Sequence, residues 1–142
     1  MKIKSIVEAY KVLGEAKVTK LEESEVIKVV KARKVMRPIA DEFEAFLKDV
    51  QEKFKPEGWE DVQKKLAKWQ QEGEKTTLSE EDRIAINKAL ITYQSAINKA
   101  VNEELEREVE LSIEKLKEES ATKLLTENGW ELKKLEEIEV VL

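Results

Sequence analysis

Over most of the chain the apolar positions fall three and four residues apart, the period of a helix with one buried face. Ile3, Ile6, Val7, Tyr10 and Leu13 mark a short amphipathic helix ending near Gly14, with residues 17–21 as a connector. From Ser24 to about Phe54, Val29, Ala32, Met36, Ile39, Phe43, Phe46 and Val50 keep one stripe, widened by Leu47 and Phe54, which predicts a long helix. Pro38 lies inside that stripe, where it removes a backbone hydrogen bond at a cost of about 3 kcal/mol. The stripe passes through it without a change of phase, and Arg37 is a poor cap. The pattern therefore predicts one helix kinked near 35–37 rather than two helices.

Pro56, Glu57 and Gly58 read as a turn, after which Trp59, Val62, Leu66 and Trp69 give a second stripe, closed by a polar loop over 72–77. Ser79 followed by Glu80, Glu81 and Asp82 announces the next helix, because a hydroxyl cap and three carboxylates suit the positive end of a helix. That helix runs to about Leu105 and is apolar or small over more than half its circumference, through Ile86, Ala89, Leu90, Tyr93, Ile97, Ala100 and Val101. At 107–114 the period changes to two, with Val109, Leu111 and Ile113 alternating against Glu108, Glu110, Ser112 and Glu114, the pattern of a half-buried strand. Its partner would be 17–21, 139–142 or another protomer. A short helix from Ser120 should stop at Asn128 and Gly129, and a last amphipathic stretch carries Leu132, Leu135, Ile138 and Leu142. The fold class is mainly α, an α-dominant α+β arrangement. A long kinked helix sits in an antiparallel hairpin or bundle, with one short strand near 107–114 and a C-terminal helical segment, in a single domain over 1–142.

Composition narrows the chemistry. Cys and His are both absent, which removes thiol nucleophiles, imidazole bases and the usual zinc and non-haem iron ligands. The four glycines are isolated, so no Gly-rich phosphate loop is present. All-α nucleotide pyrophosphohydrolases hold magnesium with Glu-x-x-Glu followed by Glu-x-x-Asp; Glu57 and Glu60 match the first half, but no Asp has Glu three residues before it. No catalytic residue, metal ligand or cofactor is expected. The first residues are interrupted by Lys4, Ser5, Glu8 and Lys11 and lack the apolar run of a signal peptide, and no segment is apolar enough for a membrane span, so an intracellular, cytoplasmic location is expected.

Net charge is −5, yet residues 1–40 hold ten Lys/Arg against five Asp/Glu, while 103–142 hold six against thirteen. Such a split either offers a basic surface to a partner or lets the two ends pair with each other. Lys28, Lys31, Arg33, Lys34 and Arg37 are the one dense basic stretch, a candidate nucleic-acid face without interleaved aromatics. A second feature is an amide stripe: Asn87, Gln94, Asn98 and Asn102 lie within about 80° of one another around the helix, in a sector shared with Ile84, Ile91 and Leu105. Amides beside an apolar face fix the register between helices, within one fold or with a partner. Together with Val109, Leu111 and Ile113 of the strand, they are the candidate partner interface.

Four stretches stand out together: Arg37-Pro38-Ile39-Ala40-Asp41-Glu42-Phe43, the segments EGEKTTL (72–78) and LSEEDRIAINKAL (78–90), and EREVELSIEKL (106–116). In these and in its layout the chain resembles a group of small proteins of unknown function encoded by phages and prophages of gut bacteria. It implies a virion or tail-module accessory role and carries over no catalytic residue. The functional expectation is a non-enzymatic protein–protein interaction or assembly protein with a protein partner or self-association. Nucleic-acid binding through 28–37 comes second and a carboxylate- and magnesium-dependent enzyme third.

Overall fold

A computed structural model describes residues 1–142. Six α-helices form where the apolar period is three to four: α1 (Ile3–Glu15), α2 (Glu23–Lys53), α3 (Trp59–Glu72), α4 (Glu80–Glu106), α5 (Glu118–Asn128) and α6 (Lys133–Glu137). Short 3-10 turns follow α3 at Gly73–Lys75 and α6 at Glu139–Val141. The mainly α class is thus the observed one. Pro38 sits within α2, which continues as one helix on both sides of it. α1 passes through Gly14 and stops one residue later. Two other helix boundaries follow from local chemistry. Gly58, at the entry to α3, and Gly129, just past α5, both adopt the left-handed conformation, φ 74° and 62°, which costs glycine nothing. At Gly129 the chain closes with the Trp130 amide on the Leu125 carbonyl, 2.9 Å.

The residues cluster into two compact units, one formed by Met1–Phe46 with Glu103–Leu142, the other by Leu47–Asn102. The first unit joins the basic and acidic ends of the chain. Its core holds Ile6, Ala9, Val12 and Leu13 from α1, Val29, Ala32 and Met36 from α2, and Leu116, Leu124, Ile138 and Val141 from the C-terminal third. Each large side chain buried there contributes roughly 1.5–3 kcal/mol. In the second unit Trp59 is buried and its ring centre lies 4.4 Å from that of Tyr93, while Lys65 reaches Asp82 at 3.5 Å. These pairings run in opposite chain directions, so α3 and α4 are antiparallel. Tyr93 also donates its hydroxyl to the Gln51 carbonyl at 2.6 Å.

The strand expected near 107–114 is not formed. That segment is extended, and its alternation holds: Val109, Leu111 and Ile113 are half-buried against the core and the residues between them are exposed. Pairing, however, is limited to one antiparallel bridge, Lys2 with Glu108. Ile3 N–H donates to the Arg107 carbonyl at 3.0 Å and Val109 N–H to the Met1 carbonyl at 2.8 Å. The chain turns into α1 at Ile3, so the ladder ends there. Glu110 to Lys115 make no backbone–backbone hydrogen bond, and Leu116 N–H then finds the Val141 carbonyl at 2.7 Å. Residues 17–21, one expected partner, bind the end of α5 instead. An alternating pattern reports which side chains face the core, not whether a second chain lies alongside.

Candidate functional site

The most unusual surface lies on α4. Ser79 caps this helix as its sequence implies, its hydroxyl accepting from Asp82 N–H at 3.1 Å. Within the second unit, only Ile86 of α4 is fully buried, at 1% exposure. One turn-and-a-half away the opposite face is open: Ile84 is 61% exposed and Ile91 67%. Asn87, Gln94, Asn98 and Asn102 are all exposed on that same face. Their one mutual bond runs along the helix, Gln94 Nε2 to Asn98 Oδ1 at 2.9 Å. The amides therefore hold no register between helices of this fold. From Arg83 to Asn102 the helix contains no carboxylate, in a chain with 31 Asp and Glu. Lys88 and Lys99 lie on one border of the face.

A chain with 40% charged residues has thus left about 30 Å of helix, the twenty residues from Arg83 to Asn102 at about 1.5 Å each, with a nearly neutral strip of isoleucine and amide. Single exposed apolar residues are ordinary, but here they align with uncharged hydrogen-bonding groups. Such a strip is suited to a second helix, whose side chains would fill between the isoleucines while the amides donate and accept across the contact.

The other candidate residues are not brought together in this way. Val109, Leu111 and Ile113 turn their side chains into the core of the first unit, so what their segment leaves open is backbone. The basic residues of α2 spread over about 220° of the helix at 100° per residue. Lys28 pairs with Glu25 at 2.8 Å, Arg37 lies 3.8 Å from Asp41, and Arg33 lies over the Tyr10 ring, 4.5 Å from its centre. Lys31 and Lys34 remain exposed, facing a groove with Ser112 and Glu114. Nowhere do three acidic side chains converge as cation ligands would.

Three polar fastenings in the first unit escape a reading by periodicity. Glu25, 1% exposed, accepts from Lys117 N–H at 3.0 Å and from the Ser120 hydroxyl at 2.7 Å, at the start of α5. Lys28 most of all, then these two donors, hold its carboxyl at about 2, against the usual 4.5. Glu127 accepts from the amides of Thr19 and Lys20 and from the Thr19 hydroxyl, and this lowers its pKa. Asn128 pairs with the Lys17 peptide, accepting from its N–H at 2.7 Å and donating to its carbonyl at 2.9 Å. A signal for Glu25 exists: counting back four from Val29 along the buried stripe lands on it, and a carboxylate at a core position needs donors.

Comparison with protein-family models, with curated proteins and with solved structures finds no match to this chain. Its own geometry carries the functional argument. No helix is long and apolar enough to cross a membrane.

Proposed function

We propose that this chain is a non-enzymatic protein–protein interaction or assembly protein that docks through the open face of α4. The observation that carries the reading is the exposure of Ile84 and Ile91 in line with four unburied amides. Covering one isoleucine removes enough apolar surface to contribute roughly 1.5–3 kcal/mol, which solvent-exposed lysines elsewhere on the surface cannot match. A virion or tail-module accessory is the form of this role favoured by the 37–43, 72–90 and 106–116 stretches, and it places the protein in the cytoplasm or the phage particle. Nucleic-acid binding through Lys28–Arg37 has less support, because three of those five side chains already engage Glu25, Tyr10 and Asp41.

The test is affinity capture from a native lysate with the wild-type chain and an Ile84→Lys/Ile91→Lys variant side by side. Both positions are exposed, so the fold tolerates the change. Proteins retained by the wild type and released by the variant support the reading. Equal retention of the same proteins by both would sink it.

A further inference from the structure

We infer that α3 is a strap that opens and closes while the rest of the chain stays folded, uncovering the inner face of α4. The motion is independent of what docks on the open face of that helix. α3 lies wholly within the second unit, whereas α2 and α4 both continue into the first. A glycine with positive φ stands at each end of it, Gly58 at 74° and Gly73 at 60°. A Cβ at either position would meet nothing within 4 Å, so neither joint is packed against a neighbour.

Little holds the helix between these joints. Of its 14 residues only Trp59 is buried, with Val62, Leu66 and Trp69 half-buried, whereas α1, with 13, buries five. Its one ion pair to another helix, Lys65 with Asp82 at 3.5 Å, joins side chains 38% and 41% exposed, where water screens the attraction. The helices it covers are tied to each other without it, since the Tyr93 hydroxyl of α4 donates to the Gln51 carbonyl of α2 at 2.6 Å. Release of α3 therefore leaves α2 and α4 continuous and joined, while a free helix of 14 residues is marginal in water and unravels. Segments with few buried apolar contacts open first, at a lower free energy than global unfolding. Trp59 packs on the Tyr93 ring at 4.4 Å and Lys65 reaches Asp82, an antiparallel register that sets Val62 level with Ile86. Opening thus exposes the Tyr93 ring and Ile86, which is 1% exposed in the closed form.

Because the chain has no cysteine, a single introduced thiol reports the opening. Ile86→Cys and, in the core of the first unit, Ala32→Cys place it at sites 1% and 3% exposed. Each folded full-length variant is treated with a thiol reagent while circular dichroism follows its helicity. Position 86 should react about tenfold or more faster than position 32. Amide hydrogen exchange of the unsubstituted chain supplies a second reading. Residues 63–72 should exchange faster than α1, and Trp59→Ala should speed them further while leaving α1 unchanged. Equal reaction at the two thiols, or protection of 63–72 as strong as that of α1, would overturn the inference. Exchange of 84–102 in step with 63–72 would overturn it too, because the whole second unit would then be opening.

Discussion

The Ser120 hydroxyl donates to Glu25 Oε2 at 2.7 Å across 95 positions of sequence, inside a site where the carboxylate is 1% exposed. One acidic side chain of α2 thereby caps the start of α5, which has no cap from its own N-terminal residue Lys117. Lys28, 18% exposed, supplies the counter-charge at 2.8 Å. A carboxylate at a helix N-terminus meets both free N–H groups and the positive end of the helix.

Glu25→Gln should destabilise the first unit by about 1–3 kcal/mol, the cost of weakening charged hydrogen bonds in a dry site. Urea denaturation followed by circular dichroism measures it. A change below about 0.5 kcal/mol would mean that the site relaxes around the neutral group.

The same carboxylate makes stability depend on pH. Its folded pKa of about 2 lies below the ordinary 4.5, so the folded state binds this proton less readily than the unfolded chain. The stabilisation is present above about pH 4.5 and is lost as pH falls from there through about 2. In Glu25→Gln this part of the acid slope should vanish, as denaturation midpoints between pH 2 and 6 would reveal.

Asn128→Ala removes both hydrogen bonds to the Lys17 peptide while leaving that peptide at the surface, where water partly replaces them. The expected loss is about 1 kcal/mol, with faster amide hydrogen exchange confined to residues 17–20. Exchange that stays slow there would show that Glu127 alone fixes the connector.

The two faces of α4 should respond oppositely. Ile86→Ala, at a buried site, should cost about 2–4 kcal/mol. Ile91→Ala should change the stability of the isolated monomer by no more than about 0.5 kcal/mol. Comparable losses at both positions would place Ile91 in a packed environment and contradict its exposure.

Gly14→Ala sets two small effects against each other. Alanine gains about 0.5–1 kcal/mol in helix propensity, but its Cβ would lie 2.9 Å from an Arg33 guanidinium nitrogen and push that group from the Tyr10 ring. That contact is worth about 0.5–1 kcal/mol, so the net should be near zero. In an Arg33→Ala background the same substitution should become stabilising, a difference that a double-mutant cycle reads directly.

What the residue order determined by itself was the set of helices and their inner faces. The three-to-four spacing located α1, α2, α3 and α4 because burying a stripe on a helix needs that period whatever the stripe packs against. Caps and stops at Ser79, Gly58 and Gly129 were legible because their chemistry is local. The tertiary structure decided everything that depends on which segments meet. It left 107–114 an extended chain held by Met1–Ile3 rather than a strand, because alternation encodes a buried side and not a hydrogen-bonded neighbour. It turned Val109, Leu111 and Ile113 inward and left Asn87, Gln94, Asn98 and Asn102 in the open, although in sequence both sets border apolar positions. It joined the basic beginning and acidic end in one unit, with Glu25, Glu127 and Asn128 as its fastenings. Those contacts span some ninety or more positions, and no periodicity within a helix carries information over that distance.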